Sequence, residues 1–292
     1  MTRAPDLLKV VSWNVNHNSK AWEVLLSLDA DVVLLQEATA KGRPMKGDAR
    51  VIVPPSDDWK VQGANGPAAT AIVVLNSAIK FSEVPIRKNA EKSAGGLAAS
   101  YPGQFAIIEL PLGPDMLNLV SLYGVIEHEL ADSAMHRAIS DLTPMMTKHA
   151  PVLVAGDFNI FRGHALKSVK RSLERYKSVF DRFEALGYEC LGPSSSSGAL
   201  ADCSCGDAKA CDHVATLRWR NDLKTPFQVD YAFGNAALQR HFVSCNALDD
   251  EKYWAVSDHA PIETVLVPSS ENLDALENHL TSIAESPLRP TA

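Results

Sequence analysis

The sequence predicts an α/β protein, and three observations carry that prediction. The chain opens as strand, helix, strand. Val10-Val11-Ser12-Trp13 reads as a short strand, Trp22, Leu25 and Leu26 mark a helix after Ser19, and Val32-Val33-Leu34-Leu35 is a continuous apolar run. A run of that length, with Asp29-Ala30-Asp31 as a breaker before it, fits a strand buried on both faces. Further apolar runs of strand length then alternate with helix-length segments over residues 131–149 and 165–186. Finally, the runs over 105–110 and 117–122 flank Leu112-Gly113-Pro114-Asp115, a hairpin signal.

The remaining elements follow in order. Residues 70–75 form a buried strand, ended by the Asn76-Ser77 turn. The helix over 131–149 contains Pro144, which lacks an N–H and should kink or end part of it. Val152-Leu153-Val154-Ala155 is a strand. The helix over 165–186 shows Lys and Arg on its exposed side and stops at Gly187. Residues 193–211 are the least regular, and Ser194-Ser195-Ser196-Ser197-Gly198 is flexible by composition. They read as an insertion in a loop. Strand patterns resume over 228–233 and 260–267. Leu273, Leu276 and Leu280 give residues 271–283 the look of a surface helix, and residues 287–292 should fray. No internal repeat is visible.

A chain of 292 residues can bury a large core, as one big domain or two ordinary ones. Hydrophobic residues make up 46% and charged residues 22%, ordinary for a soluble globular protein. No apolar run approaches the length of a membrane span. The first residues, with Asp6, lack the sections of a signal peptide, so a cytoplasmic location is the default. Five cysteines, an odd number, argue against a disulfide framework. A net charge of −7 argues against a general nucleic-acid coat, which would need a basic surface. It does not exclude a nuclease, because a metal site needs acids and a local basic rim can hold phosphates.

Several apolar runs end in an acid or amide: Ser12-Trp13-Asn14, Leu35-Gln36-Glu37, Gly156-Asp157-Phe158-Asn159, Val229-Asp230-Tyr231 and Ser257-Asp258-His259. Asp157 and Asn159 are two apart on an extended segment, which puts both on one face; Asn14 and Asn16 share that spacing. Glu37 ends a buried strand, where an unpaired carboxylate is costly and a divalent cation relieves the cost. Few carboxylates plus amides suit Mg²⁺ better than zinc. Asp258-His259 adds an acid and an imidazole, and Asp230 could hold His259 in one tautomer. Each stretch alone has a bland reading as a strand end or Asx turn. Independent turns do not account for all of them in this order.

On these motifs the chain resembles the endonuclease/exonuclease/phosphatase superfamily, which includes AP endonucleases, DNase I-like nucleases and inositol-phosphate phosphatases. The resemblance runs from about residue 10 to 267. It implies a four-layer α-β-β-α sandwich, two packed mixed β-sheets with outer helices, and Mg²⁺-dependent phosphoester hydrolysis, with Mn²⁺ as a substitute. It further implies a catalytic domain over 1–270, carrying a Cys-rich insertion at 191–215, then a helix and tail over 271–292. By resemblance, Glu37 is the main metal ligand, Asn14 supports the metal and the catalytic aspartate, and Asp258 is a further metal-site acid. Asp157 orients or deprotonates the attacking water. Asn159 contacts the phosphate, as does His259, which is paired with Asp230. Tyr123 matches the tyrosine of the AP endonuclease branch. Asn16 stands where that branch often has aspartate, and Gly124-Val125-Ile126-Glu127 departs from its usual sequence.

Two further segments bear on function. Cys203, Cys205, Cys211 and His213 are four soft ligands that would close a structural zinc clip, although C-x-C is tighter than the usual spacing; free thiols are the alternative. Arg218, Trp219, Arg220 and Lys224 pair a basic run with a stacking aromatic, as a nucleotide-binding rim would, and Arg162 is another rim residue. The alternative is a solvated hairpin with Trp219 packed underneath. The sequence therefore predicts a Mg²⁺-dependent nuclease acting on DNA or RNA by in-line attack of water. A phosphatase or phosphodiesterase on inositol phosphates, lipids or nucleotides is the rival on the same fold. A catalytically inactive binding module is the third reading, against which the complete polar set argues.

Overall fold

The computed structural model describes residues 7–38, 49–53, 70–87, 96–146, 149–162, 172–195, 211–218 and 226–268. Two six-stranded sheets dominate them. The first runs, in spatial order, Phe242–Ala247, Ile262–Leu266, Leu8–Asn14, Val32–Gln36, Ala71–Val74 and Arg50–Ile52. The second runs Tyr188–Gly192, Asp230–Asn235, Val152–Asp157, Asp115–Tyr123, Phe105–Leu112 and Ser82–Glu83. Both are mixed. Leu8–Asn14 lies parallel to Val32–Gln36 and antiparallel to Ile262–Leu266. Val152–Asp157 lies parallel to Asp115–Tyr123 and antiparallel to Asp230–Asn235.

Alternation along the strands makes four layers. Val10, Leu34 and Ile72 of the first sheet pack against Ile108, Leu119, Leu153 and Ala155 of the second. The neighbouring residues Val11, Trp13, Val33 and Leu35 face outward onto Trp22 and Leu25 of the helix Ala21–Leu25 and onto Tyr253. On the far side, Val120, Val154, Phe158, Tyr231 and Phe233 pack under the helices Asp132–Met146 and Leu173–Ala185, through Met135, Ile139, Val179 and Phe183. Central strands thus bury both faces, which is why they read as unbroken apolar runs.

The expected central elements are all present, with changed ends. The first helix begins at Ala21 instead of after Ser19, and no side chain caps its start. Asp132–Met146 is the described part of the helix expected over 131–149, and Pro144 lies inside it, where its missing N–H removes one bond of the ladder. Leu173–Ala185 is the described part of the helix expected from 165, and Gly187 follows it at φ +79°, a value glycine adopts at little cost. The strand expected over 228–233 is Asp230–Asn235. Edge strands Tyr188–Gly192 and Phe242–Ala247 had no clear signal, because each is only partly buried. The expected helix over 271–283, the tail, and residues 196–210 of the insertion lie outside the described residues. No described helix is long and apolar enough to cross a membrane.

Candidate active site

Parallel neighbours deliver their C-terminal ends to the same edge of a sheet. Asn14 pairs in register with Gln36, so Asn14 and the next residue, Glu37, meet at one edge of the first sheet. Asp157 is in register with both Tyr123 and Asp230 in the second. The sheets are joined beneath these ends by Gln36, whose Nε2 donates to Ser121 Oγ at 3.0 Å and to Ser12 Oγ at 3.2 Å. One polar cluster results, drawn from six distant parts of the chain.

Asn14 is its centre. Its Nδ2 donates to Asp157 Oδ2 at 2.9 Å and to Glu37 Oε1 at 3.2 Å, while its Oδ1 accepts the Asn16 N–H at 2.9 Å. Tyr123 donates its hydroxyl to Glu37 Oε1 at 3.1 Å. Asn159 donates Nδ2 to Asp157 Oδ2 at 3.1 Å and its backbone N–H to Oδ1 at 2.9 Å. His259 Nδ1 donates to Asp230 Oδ2 at 2.9 Å, which leaves Nε2 4.0 Å from Asp157 Oδ2. Asp258 sits at the rim, where its Oδ1 accepts from Asn16 Nδ2 at 2.9 Å. The structure therefore brings Asn14, Glu37, Tyr123, Asp157, Asn159, Asp230, Asp258 and His259 together.

Burial sets the electrostatics. Asp157, Asp230 and His259 are all buried. Desolvation is the largest influence on Asp157 and raises its carboxyl to about 7, against the opposing pull of His259. Burial alone would lower His259, but the Asp230 and Asp157 carboxylates outweigh it and push the imidazole up to about 10. Burial likewise opposes the Glu37 charge, yet His17, His259 and Asn14 hold this carboxyl below its ordinary value. Burial and the neighbouring Glu37 and Asp157 charges keep Tyr123 well above the ordinary tyrosine range, so it remains a hydroxyl donor.

The backbone around the cluster is strained. Asn16, His17, Glu37 and Asn159 all have positive φ, between 45° and 54°. Such residues are uncommon outside glycine and cost on the order of 1–3 kcal/mol each. Only His128 and Glu129 share this feature among the other described non-glycine residues. Strain gathered at one polar cluster points to a functional site, because packing alone gives no reason to keep it there.

Supporting residues were not legible beforehand. Thr216 Oγ1 accepts the backbone N–H groups of Val229 and Asp230, and Thr216 O accepts that of Ala260. Ser257 donates to Asn14 O and accepts from the His259 N–H, while Trp13 Nε1 donates to His259 O. His17 was also missed: its Nε2 lies 3.2 Å from Glu37 Oε2. The only advance signal for His17 was its place directly after the Asn14-x-Asn16 pair.

The expected rim is partly occupied by internal pairs. Arg162 forks onto both Asp212 oxygens, at 2.6 and 2.7 Å. Arg218 lies over the Trp254 ring and pairs with Asp249 and Glu251, while its backbone N–H reaches Asp258 O at 2.8 Å. Trp219, Arg220 and Lys224 lie outside the described residues. So do Cys203 and Cys205; Cys211 and His213 are buried with Sγ and Nδ1 3.2 Å apart.

Two positions offer metal-binding chemistry. Glu37 is a carboxylate at the sheet edge, with Oε1 held by the Asn14 amide and the Tyr123 hydroxyl, and a single carboxylate so placed fits a hard cation that retains water. Asp157, Asp230 and His259 also offer ligand atoms within 4.8 Å of one another. In this second group His259 Nδ1 is engaged by Asp230, which leaves Nε2 as its open nitrogen.

No protein-family model matches the chain, and no curated protein matches its sequence. Solved structures do match. The catalytic domain of Xenopus laevis APE2 aligns over 89% of this chain and 92% of its own, with 16% identity and a TM-score of 0.64. The endonuclease domain of TRAS1, a telomere-specific non-LTR retrotransposon, aligns over 90% and 100%, with 16% identity and a TM-score of 0.60. The 3'-5' exonuclease NExo from Neisseria meningitidis aligns over 88% and 98%, with 16% identity and a TM-score of 0.56. This is the endonuclease/exonuclease/phosphatase fold. In this DNase I-like sandwich the polar cluster occupies the edge where the two sheets' strand ends meet.

Proposed function

We propose that the protein is a divalent-metal-dependent phosphodiester hydrolase that cleaves DNA or RNA. One observation carries the reading most: a buried carboxylate, Asp157, is oriented by Asn14 and Asn159 and faces an imidazole fixed by Asp230. Asp157 has the raised basicity of a group that takes a proton from water near neutral pH. His259, kept protonated by Asp230, presents positive charge and an N–H to a phosphoryl oxygen, where negative charge grows in the transition state. Asn159 orients Asp157, and Tyr123 offers a neutral hydroxyl beside Glu37.

Glu37 would hold Mg²⁺, with Asn14 and Asp258 supporting the site. When bound, the ion supplies Lewis-acid stabilisation of a phosphoryl oxygen. The proton of the attacking water passes to Asp157 as the water oxygen bonds to phosphorus, and the opposite P–O bond breaks with its electron pair going to the leaving oxygen, which takes a proton from solvent. The structural relatives named for endonuclease and exonuclease activity support nucleic acid as substrate.

The deciding experiment incubates the protein with labelled single-stranded DNA, duplex DNA, an abasic duplex, RNA and an inositol phosphate, with Mg²⁺ or with chelator. Chelator-sensitive cleavage of a nucleic acid is the expected result. Turnover of the inositol phosphate alone would move the reading to the phosphatase branch. No turnover of any substrate, with metal binding intact, would favour a binding module.

A further inference from the structure

We infer that His17 is a nitrogen ligand of the metal centre and tilts it from Mg²⁺ toward first-row transition-metal dications. The inference rests on the reading of Glu37 as the metal carboxylate. The two Glu37 oxygens are in different surroundings. Oε1 accepts from Asn14 and Tyr123, both of which are uncharged donors. Oε2 faces His17 Nε2 at 3.2 Å. Two adjacent ligands on an octahedral ion with bonds of ~2.1 Å stand ~3.0 Å apart. In the metal-free protein the 3.2 Å contact is an ion pair or hydrogen bond, and the same separation suits Oε2 and Nε2 as neighbouring ligands of one ion that displaces the ring proton to solvent.

The backbone holds His17 in this place. Its N–H donates to Glu37 O at 3.1 Å, and the preceding Val15 N–H donates to Gln36 O at 3.0 Å. Asn16, His17 and Glu37 all carry positive φ, so the turn that aims the imidazole is maintained against a conformational cost. The side chain is partly open, 27% exposed, and so remains accessible to an entering ion. Asn16 Nδ2 donates to Asp258, and Asn14 turns its Nδ2 toward Glu37 while its Oδ1 accepts the Asn16 N–H. The ligand atoms at this position are thus a carboxylate and an imidazole, with Asp258 at the rim. Imidazole nitrogen suits transition metals, whereas Mg²⁺ prefers oxygen and water.

The test is ion binding by metal-free full-length protein, followed by calorimetry for Mg²⁺ and by visible absorption for Co²⁺. Only binding abolished by Glu37→Gln is assigned to this centre. We expect wild type to bind Co²⁺ there more tightly than Mg²⁺. His17→Ala should weaken Co²⁺ by about tenfold or more and change its spectrum, while changing Mg²⁺ much less. His17→Gln, which keeps a polar side chain without the imidazole, should behave like His17→Ala; circular dichroism checks that both stay folded. Unchanged or tighter Co²⁺ binding in the His17 variants overturns the inference, since His17 would then be a competitor for Glu37 and not a ligand. If Glu37→Gln leaves all ion binding intact, the underlying assignment of Glu37 fails instead, and the His17 proposal falls with it.

Discussion

Asp157 illustrates how a side chain is made reactive by its surroundings. Its carboxylate accepts hydrogen bonds from Asn14 and Asn159, which favour the charge, yet complete burial outweighs them. Asp157→Asn keeps the shape and removes the basic oxygen, so hydrolysis should fall by at least roughly 100-fold while the circular dichroism spectrum is retained. Turnover near the wild-type rate would remove Asp157 from the mechanism. His259 makes the complementary case. Because its folded-state value is raised to about 10, the stabilisation from its pairing is fully present below the ordinary histidine value of 6.5 and is lost as pH rises through about 10. An NMR titration of metal-free protein should show its ring protonated well above neutrality. Asp230→Asn should lower that midpoint sharply, because the carboxylate that holds the proton is gone. Coincident midpoints would show that Asp230 does not control the imidazole.

Strand pairing sets how closely these side chains meet. Asp157 lies opposite Tyr123 because Val152–Asp157 runs parallel to Asp115–Tyr123 at close range. Gly156 permits that approach, since a Cβ there would stand 1.8 Å from the Leu122 carbonyl oxygen. Backbone cannot swing away as a side chain can. Gly156→Ala should therefore cost about 1–3 kcal/mol in urea unfolding and reduce turnover below the urea transition as well. An unchanged midpoint would mean that the strands separate freely. The insertion poses a different question. Cys211 and His213 are side by side, and we propose that they complete a zinc clip with Cys203 and Cys205. Metal analysis of protein purified without added metal should then find about one zinc per chain, lost in Cys211→Ser with hydrolysis retained. Zinc-free protein with full activity would leave these as reduced thiols.

At the scale of the molecule, the site depends on how the two sheets face each other. Leu153 is fully buried in the layer between them, and Gln36, Ser12 and Ser121 form the polar link at the site end of that layer. Leu153→Ala should cost about 2–5 kcal/mol by transfer and cavity terms, a large share of the stability of an ordinary domain. Thermal unfolding should show the loss as one cooperative shift. Separate transitions for the two sheets would show that the interlayer core does not couple them.

What the sequence by itself determined was local. Apolar runs such as residues 32–35 and 152–155 placed the central strands, because a strand covered on both faces carries hydrophobic residues at every position. Polar residues closing those runs marked Asn14, Glu37, Asp157, Asp230 and His259 as a set, and the motif resemblance supplied the fold. The edge strands Tyr188–Gly192 and Phe242–Ala247 were hidden because a half-exposed strand needs no distinctive composition. The Asp230–His259 pair was expected from the sequence, but tertiary structure alone decided the other partners. It turned Arg162 and Arg218, expected at the rim, onto Asp212, Asp249 and Glu251. It also joined His17 to Glu37 and Thr216 to Asp230. These pairings come from sheet register and from one sheet packing on another, which bring together residues that no spacing along the chain connects.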